Sequence, residues 1–202
     1  MISIVDYGLG NVQAFYNIYK NLGISCAIAN DSSSLLDSKK LILPGVGSFD
    51  WAMHKLNISG MRETLDKLVV EKQVPILGVC VGMQIMAKDS EEGKAKGLGW
   101  IDAKNLLLKD TTANQIILPH MGWNDVHSSG KNLFQDLASS RFYFLHSYYI
   151  RPDDSNLIQA NATYSKNFTC AVSKCNQIFG VQFHPEKSHN WGIKLLHNFS
   201  KL

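Results

Sequence analysis

The 202-residue chain is 45% hydrophobic and 18% charged, enough apolar material for one sizeable core, so a single domain spanning 1–202 is expected. Its 20 basic and 17 acidic residues leave a net charge of +3, dispersed with Lys39 and Lys40 as the densest basic pair, so nucleic-acid and membrane-surface binding gain no support; proteins or small molecules are the expected partners. The four cysteines (26, 80, 170, 175) form neither an even framework nor a C-x-x-C pair, no basic-then-apolar leader opens the chain, and no apolar run approaches ~18 residues, so a reducing, cytoplasmic setting without a spanning helix is expected.

"ISIV" at 2–5 is a short apolar run that ends in the Gly-rich "DYGLGN". Val12, Phe15, Ile18, Tyr19 and Leu22 then recur at helical spacing until Gly23. "CAIA" at 26–29, "LIL" at 41–43 and "PILGV" at 75–79 read as further buried strands, and helical spacing over Met53 to Val70 separates the last two. Strands alternating with helices imply a parallel sheet covered on both faces. From about 116 the texture changes to strand-like runs, "IIL", "FYFLHSYYI", "LIQANATY", "FTCAVS" and "IFGVQF", parted by polar turns and read as an antiparallel extension of the same sheet. "WGIKLLHNFSKL" closes the chain as an amphipathic helix. The expected fold is α/β: three layers, α/β/α, around a mixed and mostly parallel sheet.

Chemistry concentrates at "PILGVCVGMQIMA", Pro75 to Ala87. "GVCVG" has the G-x-nucleophile-x-G form of an elbow, a tight strand-to-helix turn that pushes the reactive residue out of the sheet edge. Gly78 and Gly82 would be required where neighbouring backbone leaves no room for a Cβ. A cysteine at a helix N-terminus would gain thiolate character, but a buried, inert Cys80 beside packing glycines fits the pentapeptide equally well. A nucleophile needs a base and the base an orienter. "IFGVQFHPEKS" offers both, because His184 ends a strand-like run and Glu186 follows at i, i+2, on the same side of an extended chain. The alternative is a solvated surface turn. For an oxyanion, the Val81 amide and the "LPGVGSF" strand end at 43–49 are candidate donors, although the latter also reads as an ordinary Pro-Gly turn.

Other readings are weaker. "DYGLGN" lacks the third glycine and the distal acid of a dinucleotide site. The remaining histidines show no metal-ligand spacing, so no metal or cofactor is expected, and His146 reads as a positional residue at a strand end. Cys170 and Cys175 read as packing or turn residues.

Taken in order, "DYGLGN", "LPGVGSF", "GVCVGMQ", "EEG" (91–93), "PHMGWN" (119–124), "HSYY" (146–149) and "GVQFHPEKS" (180–188) resemble the class I glutamine amidotransferase family, over nearly the whole chain. The resemblance implies a flavodoxin-like fold, L-glutamine as substrate, and a triad of Cys80 as nucleophile, His184 as general base and acid, and Glu186 as orienter. It makes Gly45, Val46 and Gly47, with the Val81 amide, the oxyanion site. Gln84, one helical turn after Cys80, would contact the glutamine, and His146, Ser147 and Tyr148 would hold its amino and carboxylate ends. Met83 and "PGVGSF" favour the histidine-pathway branch, whose partner is a (β/α)8-barrel cyclase in a heterodimer that receives the ammonia. Asn11, Trp123 and Lys187 match positions at the docking face and channel mouth, with Trp123 as the anchor. Val81, Ala14 and the Trp in "GLGWIDA" depart from that branch and point to a second expectation, paralogues feeding ammonia to sugar-modifying enzymes of surface-polysaccharide pathways. A non-catalytic regulatory subunit and a free-standing thiol hydrolase are more remote alternatives.

Overall fold

A computed structural model describes residues 1–109 and 116–202. The first half alternates as expected: β1 (Ile2–Val5), α1 (Val12–Asn21), β2 (Cys26–Ala29), β3 (Lys40–Gly45), α2 (Phe49–Ile58), α3 (Arg62–Asp66), β4 (Ile76–Cys80) and α4 (Val81–Gln84). β1 and β4 are buried at every position, the continuous apolar run of a strand covered on both faces. Asn11 caps α1 by accepting the Ala14 N–H at 3.2 Å, and Gly23 at φ +69° follows the helix. The helical spacing over Met53 to Val70 is not one helix. It breaks at Gly60, φ +72°, and resumes as α3, which runs into a π-helical turn at Lys67–Glu71.

The second half holds β5 (Asp89–Ser90), β6 (Ala103–Leu107), β7 (His120–Ser128), β8 (Ser139–His146), β9 (Tyr148–Pro152), β10 (Ile158–Tyr164), β11 (Lys166–Lys174), β12 (Ile178–Val181) and the closing helix α5 (His189–Lys201). The large sheet runs β2-β1-β3-β4-β12-β11-β10-β7-β8. Its first five strands are parallel and the rest join antiparallel, which is the mixed α/β sheet expected.

Three features depart from the sequence reading. β12 is not simply another antiparallel strand, because it lies parallel to β4, with Val181 opposite Val79. "FYFLHSYYI" is two strands: β8 stays in the large sheet, while β9 pairs with β6 in a separate sheet ordered β5-β6-β9. The break falls at Ser147, whose carbonyl accepts the Leu108 N–H at 2.8 Å. "IIL" at 116–118 is not a strand, and β7, whose burial alternates because one face is solvated, follows it instead.

α1 and α5 pack together, tied by Tyr19 Oη donating to the Leu196 carbonyl at 3.2 Å, and α4 packs against α2 and β3. Backbone approaches closely around the elbow. A Cβ on Gly82 would overlap the Leu43 carbonyl oxygen, and one on Gly78 would sit 2.8 Å from Met83 Cα. These are the two glycines required by the elbow reading, and the obstacle at Gly82 is rigid backbone. Gly82→Ala is expected to lower the unfolding free energy by about 3 kcal/mol or more. Gly23→Ala, at φ +69° but in open space, should cost only about 1–2 kcal/mol. Urea unfolding of both variants checks this, and equal losses would contradict the close-approach account.

Candidate active site

The parallel strands β3, β4 and β12 end on one side of the sheet, where open α/β sheets place their ligand crevices. Cys80 ends β4 opposite Gly45 of β3. Its backbone lies at φ +56°, ψ −117°, a strained conformation for a residue with a Cβ, and only 4% of it is exposed. The expected elbow is therefore present. The helix behind it is short, since α4 has four residues and sums few peptide dipoles.

Positive charge comes instead from His184. The His184 N–H donates to the Tyr143 carbonyl at 2.8 Å, and the Ser188 hydroxyl donates to the His184 carbonyl at 2.6 Å while accepting the Tyr143 N–H at 3.0 Å. Phe183 beside it stacks on Phe142 at 3.9 Å. The chain does not stay extended after His184. Pro185–Lys187 form a 3-10 turn, and the turn, rather than strand periodicity, swings the Glu186 carboxylate to 2.8 Å from His184 Nδ1. Both side chains are buried, at 4% and 3% exposure. Burial works against a charged imidazole, but hydrogen bonds to Cys80 and Glu186, and their negative charge, outweigh it and push His184 up from 6.5 to about 10. Cys80 also lies 3.9 Å from the Leu145 carbonyl oxygen.

A cleft of about 340 Å³ opens over Cys80 and His184. Val46, Gly47 and Val81 line one side, while Gly45 sits behind them in the sheet. Gln84, His146, Ser147 and Tyr148 line another part, so the residues expected to surround a glutamine do converge. Two of them are less available than expected. Gln84 spends its amide N–H groups on the Tyr148 carbonyl at 2.9 Å and on Gln182 Oε1 at 3.0 Å, which leaves its Oε1 for a ligand. His146 contacts His120 Nδ1 through Nε2 at 3.0 Å and the Tyr148 carbonyl through Nδ1 at 2.9 Å. Burial, followed by weaker effects, pushes it down to about 3. Both of its ring nitrogens are therefore engaged by protein groups, which leaves neither free to face the cleft.

Sequence reasoning gave no role to Gln182 or Glu92. Gln182 is fully buried, with Nε2 3.8 Å from Cys80 Sγ. Glu92 lines the cleft, and its Oε2 accepts the Phe49 N–H at 2.8 Å. Both lay in quoted motifs, "GVQFHPEKS" and "EEG", but only the fold reveals which way they face. Tyr7, in "DYGLGN", lies near the sulfur and donates to the Pro44 carbonyl at 2.9 Å; burial and then the charge of Cys80 raise its hydroxyl.

Trp123 is 40% exposed and so is no core residue; it stacks on His189 at 5.3 Å. Lys187 is exposed at the cleft rim, its Nζ 5.9 Å from the Tyr143 ring that Trp123 meets edge-on. Asn11 is exposed beside Gly10, and a Cβ on Gly10 would lie 2.7 Å from Pro44 Cβ. Among the described residues, no helix is long and apolar enough to cross a membrane.

A thiol on a strand-to-helix elbow, with a buried His–Glu pair beside it and a cleft over both, is an arrangement suited to thiol-dependent acyl transfer. The family described as "Glutamine amidotransferase class-I" matches residues 3–201, and the chain belongs to it. A solved structure described as a glutamine amidotransferase shares the fold, with a TM-score of 0.77 at 18% identity, over 100% of this chain and 99% of that one. More particularly, the chain is 50% identical to the "Imidazole glycerol phosphate synthase subunit HisH" of Bdellovibrio bacteriovorus, over 100% of both chains. It is 49% identical to the protein of the same name from Leptospira interrogans, again over 100% of both.

The imidazole sets the expected pH behaviour. Below about 6.5 the ring is charged whether the chain is folded or not, so the stabilisation from Cys80 and Glu186 is fully present there; it is lost as pH rises toward about 10. The alkaline limb of activity is therefore expected near pH 10. Glu186→Gln should move that limb to lower pH and reduce kcat by about 10²–10⁴-fold. A pH–rate profile of the variant checks both, and an unmoved limb would contradict the assignment.

Proposed function

We propose that this chain hydrolyses the side-chain amide of L-glutamine and passes the ammonia to a (β/α)8-barrel cyclase subunit, which forms imidazole glycerol phosphate and AICAR in histidine biosynthesis. The observation that carries the reading is the Cys80, His184, Glu186 arrangement, in which His184 is hydrogen-bonded to Glu186 and lines the same cleft as Cys80. The printed names of the relatives support the histidine branch over a sugar-modifying one. No cofactor is required, and a cytoplasmic location suits the pathway.

In the first half-reaction the Cys80 thiolate forms a C–S bond to the amide carbon, and the carbonyl becomes an oxyanion. The Val81 amide and the Val46–Gly47 strand end are the proposed donors to it. His184, charged and held by Glu186, gives its proton to the nitrogen, the C–N bond breaks, and ammonia leaves. In the second half-reaction His184 removes a proton from water, and the resulting C–O bond displaces the sulfur to give glutamate and the thiolate. The Glu92 carboxylate suits the substrate's ammonium end, while Ser147 and Tyr148 suit its carboxylate. Gln84 contributes through Oε1.

The partner would seat on the exposed face bearing Trp123, with Lys187 at the cleft mouth and the exposed Asn11 as a further contact. Trp123→Ala is expected to weaken a heterodimer with the cyclase by about 2 kcal/mol, roughly 30-fold in Kd, by titration calorimetry. In the assembled complex, Cys80→Ala should reduce ammonia release from glutamine by at least about 10⁴-fold. Ammonia release that survives this substitution would overturn the mechanism. Growth of a histidine auxotroph lacking its own glutaminase subunit tests the branch, and failure to complement with an active enzyme would overturn the histidine reading.

A further inference from the structure

Behind the segment proposed to bind glutamine lies a line of polar groups, two buried histidines and a half-buried asparagine, that the hydrolysis does not use. We propose that Asn124, His120 and His146 form a one-way hydrogen-bond relay holding the Tyr148 carbonyl, which makes Asn124 and His120 positioning residues for the glutamine-binding segment. The proposal rests on the reading above that Ser147 and Tyr148 meet the substrate.

The direction of every proton follows from the two ends. Asn124 Nδ2 donates to the Thr163 carbonyl at 2.9 Å, and its Oδ1 accepts the Asp125 N–H at 2.8 Å. Turning the amide over would set donor against donor and acceptor against acceptor, so its orientation is fixed. The same Nδ2 lies 3.3 Å from His120 Nε2, which must therefore be the unprotonated nitrogen. The His120 proton then sits on Nδ1 and is given to His146 Nε2 at 3.0 Å. That places the His146 proton on Nδ1, which donates to the Tyr148 carbonyl at 2.9 Å. A carbonyl can only accept, so the far end agrees with the near end. The opposite order would fail at both. An extra proton on either ring would also put two donors face to face, and burial pushes His120 down to about 4 and His146, as noted above, to about 3.

The rings have no freedom to escape this order. His120 is stacked between Tyr164 at 4.1 Å and Phe144 at 4.8 Å, with interplanar angles of 20° and 25°. The Tyr148 carbonyl takes a second hydrogen bond from Gln84, so two donors pin the peptide that joins Tyr148 to Tyr149. Gln84 continues to Gln182, and Gln182 to the Cys80 sulfur. The glutamine-binding segment is thus set by an ordered network that begins on β7, while the Cys80 backbone is placed by its own elbow between β4 and α4.

The test uses the complex with its cyclase subunit. His120→Phe keeps an aromatic ring in the stack but cannot donate. It is expected to raise KM for glutamine about tenfold, since a hydrogen bond in a buried chain is lost and its neighbour left unpaired. Alkylation of Cys80 by iodoacetamide, which needs no glutamine subsite, should stay within about twofold of the unsubstituted rate, because the triad is untouched. A KM unchanged in His120→Phe, or a KM raised together with slowed alkylation, would overturn the proposal. Nitrogen-15 NMR of the histidine-labelled, unsubstituted protein provides the second measurement, independent of any variant. Neutral rings protonated on Nδ1 at both His120 and His146 are expected near pH 7, and an Nε2–H form of either ring overturns the relay. If Cys80 is not alkylated and glutamine is not hydrolysed by the unsubstituted complex, the functional reading fails instead.

Discussion

The parallel pairing of β12 with β4, with Val181 opposite Val79, is the constraint on which the rest of the site depends. The two strands lie far apart in the chain, and only their shared register puts the end of one beside the end of the other. A slip of one residue would turn every side chain of β12 to the opposite face. β3 fixes the other flank by pairing Gly45 with Cys80, and the lack of a Cβ at Gly82 lets α4 descend onto β3. The strained backbone at Cys80 is therefore held on three sides by sheet and helix, and needs no contribution from a ligand.

The charges at the site are arranged against burial rather than with it. His184 and Glu186 are nearly inaccessible, and an isolated charge of either sign there would be strongly unfavourable. They are tolerable together, because Glu186 and Cys80 both favour the charged ring. Glu186 Oε2 nevertheless has no hydrogen-bond partner among the described residues, so the pair is not optimised for stability. The rigid surroundings supply what the pair lacks: Ser188 ties the His184 backbone to β8, and Phe183 locks into the aromatic cluster with Phe142 and Phe144. This fits a site whose geometry takes precedence over its contribution to folding.

Much of this was legible in the sequence, for physical reasons. Continuous apolar runs marked the parallel strands, and glycines flanking Cys80 marked a turn too tight for side chains. Proline after His184 marked a turn, which is the 3-10 turn Pro185–Lys187, although β12 itself ends earlier than the sequence suggested, at Val181. The limits are equally physical. Helical spacing over Met53 to Val70 concealed a break at Gly60, because the apolar stripe continues through α3 and the π-helical turn. "FYFLHSYYI" has strand-forming aromatic residues on both sides of Ser147, so its composition carries no sign that Ser147 passes the chain to a different sheet. Gln84 does line the cleft, but its amide hydrogens are consumed by Tyr148 and Gln182, partners that no local spacing brings near. Gln182 and Glu92 went without a role for the same reason: their significance lies in what the fold sets opposite them.

At the centre of the account is a covalent step at Cys80, and a quenched single turnover tests it most directly. The assembled complex is mixed with glutamine, stopped in acid, digested and mapped by mass spectrometry. The account predicts a glutamyl adduct on the peptide bearing Cys80, which is absent when His184 is replaced by alanine. Ammonia released with no adduct on Cys80, or with the adduct on Cys170 or Cys175, would contradict it.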